Sequence, residues 1–231
     1  MATRAAVAIR SAVAIRSAVA LGAAVLALLG AGCFDVIALR PELRAAVSRR
    51  DALALADALE QLIDEGRASD SDREAAYDAV RKWRRSGAEY AFARAAIAGR
   101  LAQVRGLSAA GLVREMERLA RESMTLDAKF RDGAARRMLG TLYVLAPAQL
   151  LEHGDSEEGL ELLEKQAAEY PRAPQNHLRL AEGYLGLNDP GEAREPLCVA
   201  LDHATELLRS ERKLLATLIE QSGGRAELDC P

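Results

Sequence analysis

Residues 180–200 read LAEGYLGLNDPGEAREPLCVA, and the fold is decided by this stretch. Leu180 and Ala181 are adjacent, and Tyr184 follows three residues after Ala181. Ala193, Leu197 and Ala200 come after a break at Asn188, Asp189, Pro190 and Gly191. Each half has the three- and four-residue spacing of one helical face, and the break holds turn and helix-start residues. Small residues let two antiparallel helices approach closely, and Leu and Tyr fill the space that remains. The stretch therefore predicts a helical hairpin.

A second copy lies upstream, in register. Leu139, Gly140 and Tyr143 repeat the first half; Gly159 and Leu163 take the places of Ala193 and Leu197, and Pro171 closes the unit. Gln166 stands where a small apolar residue is usual. The connection within APAQLLEHGDS is about seven residues longer than the repeat norm and is expected to protrude, with Asp155 and Glu158 as a capping box restarting the helix. The units span 133–171 and 174–205. The second lacks the closing Pro, since Thr205 occupies that place, and its Pro196 is read as early in a helix, where a missing N–H matters least. A helix over 205–221 carries Leu207, Leu208, Leu214, Leu215, Leu218 and Ile219 before Gly223-Gly224, and is expected to cap the array. The spacing resembles the tetratricopeptide repeat: Leu-Gly, an aromatic, a turn, Ala, a large apolar residue and another small one. The repeat-packing residues are thus Leu139, Gly140, Tyr143, Leu163, Leu180, Ala181, Tyr184, Ala193, Leu197 and Ala200.

The chain before 133 carries the same periodicity less regularly. Asp51 can cap a helix with Leu53, Ala56, Leu59, Leu62 and Ile63 on one stripe, and Gly66 stops it. Residues 69–72 precede a helix bearing Ala76, Tyr77, Val80 and Trp83. Gly87 separates that from an Ala-rich helix to about residue 104, and Ser108 is expected to cap the next, with Leu112, Met116, Leu119, Ala120, Ser123 and Leu126 at helical spacing. Half of the 231 residues are apolar and only 4% aromatic. Ala and Leu dominate, which favours helices, and no stretch alternates convincingly with period two. The expected fold is all-α, stacked antiparallel hairpins over 51–231 in a TPR-like α-solenoid with a C-terminal capping helix.

Residues 1–32 read as a secretory signal peptide: Arg4, Arg10 and Arg16, then an uncharged run from Ser17 to Ala31, then Gly32-Cys33. The run is shorter than the ~20 residues a membrane-spanning helix needs. LLGAGC resembles the bacterial lipobox, although Gly30 stands where Leu is preferred. That resemblance implies lipidation of Cys33, a tether with a short helix over 33–50, and a periplasmic protein held to the membrane by its lipid. Phe34, rather than Asp, after the Cys leans towards the outer membrane. Ordinary secretion or an uncleaved anchor is the alternative. Removing Arg4, Arg10 and Arg16 from 31 Lys and Arg leaves 28 against 34 acidic residues, a net charge of −6. Such a balance gives no electrostatic reason to bind nucleic acid. Cys198 and Cys230 remain as an even pair that can close a disulfide in an oxidising compartment; a buried thiol and a free one is the alternative.

Chemistry is sparse. His153 lies beside Glu152 and Asp155, but a solvated loop histidine is the plainer reading than a metal ligand. His177 takes the place of the repeat's Trp, and His203 sits near a helix end. There is no Cys-x-x-Cys or His-x-x-x-His pair, no Gly-x-Ser-x-Gly, and no phosphate-binding Gly loop. No enzyme, metal or cofactor is expected. What remains is a binding surface. In this repeat the first helix of each pair lines the concave face, which places Arg137, Thr141, Val144, Gln175, Leu178, Glu182 and Leu185 there; ordinary surface or inter-repeat contacts are the alternative. The set lacks the matched Lys and Asn of a carboxylate clamp.

More narrowly, the lipobox-like Cys33, the segment DGAARRMLGTLYVLAPAQLLEHGDSEEGLELLE and the following AEYPRAPQNHLRLAEGYL resemble the T-component lipoproteins of tripartite ATP-independent periplasmic (TRAP) transporters. The likeness covers residues 130–231 well and the earlier half loosely. It implies a helical transport accessory that assembles with itself and with a periplasmic substrate-binding protein, and that handles a small hydrophobic ligand. A general scaffold for envelope assembly, with no small ligand, is the competing reading.

Overall fold

The computed structural model describes residues 39–230, so the proposed signal and Cys33 lie outside the described residues. Among these residues the chain is all-helical, with eleven α-helices, three short 3-10 turns and no strand. Pro41 opens α1 (Pro41–Arg49), at a position whose N–H would lack a helical partner in any case. The Asp51 carboxylate accepts the Ala54 N–H at 2.9 Å to cap α2 (Ala52–Asp64). Ser69 and Asp72 form a reciprocal capping box on α3 (Asp70–Val80). Trp83 falls beyond the end of that helix.

The apolar stripes meet in four successive cores. Leu43, Leu55, Leu59, Leu62, Ala76 and Val80 close over Ala93 and Ile97 of α4 (Ala88–Arg105). The same helix buries Ala91 and Ala95 on another side, against Leu119 and Ala120 of α5 (Ala110–Leu126) and Leu139 and Tyr143 of α6 (Ala134–Leu145). Its run of alanines is what a helix packed on two sides requires. Leu163 and Ala167 of α7 (Ser156–Glu169) then meet Leu180 of α8 (Pro174–Gly186). The last core joins Leu178 and Ala181 to Ala193, Leu197 and Ala200 of α9 (Pro190–Asp202), and to Leu215, Leu218 and Ile219 of α10 (Arg209–Gln221). Each fully buried Leu contributes about 1.5–3 kcal/mol. The closest packing is between consecutive partners, α4 with α5, α6 with α7 and α8 with α9.

Several local features differ from expectation. Ser108 does not cap α5. A 3-10 turn, Gly106–Ala109, intervenes, and the Ser108 hydroxyl donates to the Arg105 carbonyl at 2.8 Å. Pro196 is interior to α9, which already begins at Pro190. The terminal helix starts at Arg209 rather than near 205, because a 3-10 turn, Ala204–Glu206, and the extended Leu207 precede it. Leu207 is then buried in the last core. Cys198 and Cys230 are joined by a disulfide with Cα atoms 5.5 Å apart. It ties the short α11 (Arg225–Leu228), with buried Leu228, back to α9.

The start of α10 has no cap of its own, since Leu208 stands at the N-cap position and carries no acceptor. The carboxylate of Asp64, the last residue of α2, supplies one. It accepts the Ser210 N–H at 2.6 Å and the Arg209 N–H at 3.2 Å. Residues some 146 positions apart are thereby joined by one side chain.

Candidate functional site

The turn before α6 aims the site. Arg131, Asp132 and Gly133 have φ of 49°, 54° and 70°, three successive left-handed residues of which only the last is glycine. Such a conformation at a non-glycine residue costs on the order of 1–3 kcal/mol and persists only when the surroundings hold it. Two clamps do so. Arg131 makes a two-point ion pair with Asp57 of α2, at 2.7 and 2.6 Å, and its guanidinium lies 5.9 Å from the ring centres of both Phe92 and Phe130. Gln166 Nε2, from α7, donates to the Asp132 carbonyl at 2.5 Å. A Cβ at Gly133 would overlap that amide.

Held this way, α6 presents Arg137 to α8. Arg137 Nη1 donates to Asn176 Oδ1 at 2.7 Å, and Asn176 Nδ2 donates to the Gln166 carbonyl at 3.4 Å. Asn176 and Gln166 are both fully buried. A polar seam thus runs through an interface of three helices that is otherwise apolar. No carboxylate lies within ion-pair distance of Arg137, 4.0 Å, among the described residues. Burial pushes its guanidinium below the usual arginine range; Glu211 and Asp132 oppose the shift from farther away, and Arg179 adds to it. An arginine stays protonated in a protein, so the direction marks a half-buried charge that has no close counter-ion.

The other residues assigned to the concave face from sequence fall around this seam in different ways. Thr141 is half-buried and its hydroxyl donates to the Arg137 carbonyl at 2.9 Å, one turn back in its own helix. Val144 packs into the Leu163–Leu180 core. Gln175 Nε2 donates to the Glu206 carbonyl at 3.3 Å, linking α8 to the turn before α10. Leu178 is fully buried in the last core and has no surface to offer a ligand. Leu185 packs against the same core, half-buried. Glu182 forms an ion pair with Arg179 at 2.7 Å, one turn apart on α8. Only Arg137, with Arg179 and Glu182 nearby, remains a charged feature of this face.

Sequence reasoning missed Asn176 altogether. Gln166 was visible as a departure from a small apolar residue, and that was the available signal. His177 Nε2 lies 2.9 Å from the Pro171 carbonyl, and burial pushes its imidazole below the usual histidine range. His203 Nδ1 lies 3.3 Å from Glu206, and His153 is exposed. Among the described residues no group of three or more His, Cys, Asp or Glu is placed to hold a metal ion.

The connection 146–155 does not protrude as expected. Glu117 of α5, fully buried, accepts the N–H groups of Glu152 and His153, both at 2.8 Å, and the Tyr143 hydroxyl at 3.0 Å. Leu151 packs into the core beside Leu119 and Leu139, and a Cβ on Gly154 would overlap the Tyr143 ring. The Tyr143 hydroxyl, buried and beside Glu117, is pushed up to about 12, against the pull of Arg121. The connection is folded down over α5 by a carboxylate 35 residues upstream. Asp155 then caps α7, accepting from the N–H groups of Glu157 and Glu158, both at 3.0 Å.

One open concavity of about 350 Å³ lies between α3, α4 and α5, lined by Glu74, Tyr77, Asp78, Arg81, Leu101 and Arg105 among others. Its rim is crossed by ion pairs, Arg105 to Glu74 at 2.5 Å and Arg81 to Asp78 at 2.8 Å. None of the residues assigned to binding from sequence lines it. No described helix is long and apolar enough to cross a membrane. Compared with protein-family models the chain matches none, and no curated protein matches it.

Proposed function

We propose that this chain is a non-enzymatic helical-repeat protein of the TPR-like kind, built as an α-solenoid of antiparallel hairpins, which holds a protein partner in the bacterial envelope. In this reading residues 1–32 direct export, Cys33 carries a lipid to the outer membrane, and the partner is a periplasmic substrate-binding protein of a TRAP-type transport system. The observation that carries the repeat reading is the meeting of Gly140 and Gly159. A Cβ on Gly140 would stand 2.8 Å from the Gly159 carbonyl oxygen, and one on Gly159 would stand 2.9 Å from the Gly140 carbonyl oxygen. These are the two small positions that the repeat grammar opposes. Of the remaining packing residues, Leu139, Leu163, Ala181, Ala193, Leu197 and Ala200 are fully buried, Tyr143 and Leu180 are buried, and Tyr184 is half-buried at the edge of the last two cores.

The polar seam and the charged rim of the concavity support a protein partner over a small hydrophobic ligand, and they equally favour the second reading, a general envelope scaffold. Native mass spectrometry of the mature protein tests the choice. The expected spectrum has the mass of the lipidated polypeptide or its multiples, and a further apolar ligand retained non-covalently would return the reading to small-molecule transport. Binding of a purified periplasmic substrate-binding protein of a TRAP-type system, measured by titration, separates the transport accessory from the general scaffold. Cys33→Ser is expected to release the protein from membranes; persistence in the membrane fraction would mean another anchor.

A further inference from the structure

The loop that joins α3 to α4 reads Arg81-Lys82-Trp83-Arg84-Arg85, four cations around the only tryptophan of the chain. Arg81 is engaged, pairing with Asp78 at 2.8 Å and lying 5.8 Å from the Tyr77 ring centre. Lys82, Arg84 and Arg85 are exposed and form no ion pair among the described residues. The packing brings two more cations to them. Arg40, just before α1, meets Asp72 in the first turn of α3 at 2.9 Å, and short connections reverse the chain after α1 and again after α2. The far ends of α1 and α3 therefore lie on one side of the first core, where Arg49 and Arg50 are likewise exposed and unpaired among the described residues. The loop is held in place. The Tyr90 hydroxyl lies 2.7 Å from the Trp83 carbonyl and 3.0 Å from the Val80 carbonyl, and half-buried Trp83 packs on the core. The opposite end of the same helices is acidic, with Asp64 and Glu65 closing α2 and Asp70 and Asp72 opening α3.

From this arrangement we infer that Arg49, Arg50, Lys82, Arg84 and Arg85, set around Trp83, form a docking face for a bilayer containing anionic phospholipid. A helix dipole favours a cation in its last turn, which accounts for Arg49, but Arg84 and Arg85 lie beyond the end of α3. Asp51 and Asp78 are committed, capping α2 and holding Arg81, and the next acid along the chain, Glu89, is one charge against five. The mature net charge of −6, 28 against 34, does not cancel the face. With 11 residues α3 is about 16 Å long, about twice the Debye length at physiological ionic strength. The acidic end is thus screened from a surface that touches the basic one. Tryptophan among Lys and Arg is the composition of a membrane interface, where the indole has one apolar side and one wet. An acidic protein surface would need only the cations. The inference rests on the reading that Cys33 holds the chain to a membrane. Eight residues lead from Cys33 to Pro41, an extended reach of up to about 29 Å. Since α1 is only about 14 Å long, its far end can rest on the bilayer. Such a face orients a protein already held by lipid and is too weak alone to survive a wash at raised salt, so release of Cys33→Ser in that wash remains the test of the lipid.

The test is binding of the mature Cys33→Ser chain to vesicles of phosphatidylcholine alone and of equal parts phosphatidylcholine and phosphatidylglycerol, followed by co-sedimentation and by Trp83 fluorescence. The expected result is binding to the anionic vesicles only, with a blue shift of the tryptophan emission. Both should be lost as sodium chloride rises from about 0.05 M to about 0.5 M. Each cation near an anionic surface contributes about fivefold, so Lys82→Gln/Arg84→Gln/Arg85→Gln should weaken binding about a hundredfold. Its Tm should match that of the parent, because these exposed side chains have no ion pair to lose. Arg172→Gln/Arg194→Gln/Arg225→Gln removes the same charge from exposed arginines later in the chain and should leave binding unchanged. Equal weakening by both triple variants would credit net charge rather than this face and overturn the inference. So would equal binding to neutral vesicles, or an emission that does not shift. Capture of an acidic protein without any vesicle binding would assign the face to a protein partner and overturn the bilayer. Failure on vesicles, together with release of Cys33→Ser from membranes, would remove the face and leave the lipid anchor standing.

Discussion

Gly140 and Gly159 mark the closest approach of α6 and α7, and no side chain fits between them. At Gly140 an added Cβ would meet Leu163 Cγ at 2.7 Å as well as the facing backbone. Leu163 could turn aside, but a carbonyl belonging to a helix cannot. Gly140→Leu is therefore expected to lower stability by about 1–3 kcal/mol, through overpacking, seen as a lower Tm in thermal unfolding. An unchanged Tm would mean the two helices do not meet at this register. Gly140 was legible from sequence because the repeat grammar puts a small residue there. Gln166 showed only as a departure from the small residue expected there, and Asn176 gave no signal of its role, because a buried amide is tolerated only where a partner waits, and that partner belongs to another helix.

At the scale of elements, the connection between α6 and α7 owes its shape to Glu117. Replacing it with Ala would leave the Glu152 and His153 N–H groups and the Tyr143 hydroxyl without their acceptor. Each such orphan costs about 1–3 kcal/mol if it stays buried, so the connection is expected to detach. Hydrogen exchange at 150–154 should then become much faster in Glu117→Ala, with exchange in α8 and α9 unchanged. Protection that survives the substitution would credit Leu151 and Gly154 packing instead. At the other end, the disulfide between Cys198 and Cys230 closes a span of 32 residues. Chain entropy assigns such a crosslink about 3–4 kcal/mol. The Cys198→Ser/Cys230→Ser protein should lose stability of that order in denaturant titration and release α11 to proteolysis first.

Across the described residues, the polar contacts that span the greatest sequence separations are Asp57 to Arg131 and Asp64 to the start of α10. The helices α2 and α10 otherwise hardly touch, so Asp64 acts as a latch between the early and late parts of the chain. Its carboxyl is held below its ordinary value of 3.8, chiefly by the Ser210 N–H. A depressed carboxyl contributes stability that is present above the ordinary value and lost as pH falls through the lower folded-state value. Asp64→Ala should lower stability at neutral pH by about 1 kcal/mol, the usual worth of a helix cap. It should also reduce the loss of Tm between pH 5 and pH 2, near the ordinary carboxylate value of about 3.9. Wild-type and variant curves that run parallel through that range would remove Asp64 from the acid response.

The sequence by itself determined the all-helical class, the order of the helices from about 51 onward, and the small residues at their closest approaches. Those follow from local periodicity, capping and side-chain size, which each segment carries within a dozen residues. Where α10 starts, how the 146–155 connection lies, and which polar groups meet at Arg137 were decided only in three dimensions. In each case the deciding group is distant in sequence: Asp64 for α10, Glu117 for the connection, Asn176 for the arginine. A buried polar atom takes whatever partner the packing brings within about 3 Å, and no local pattern encodes that meeting.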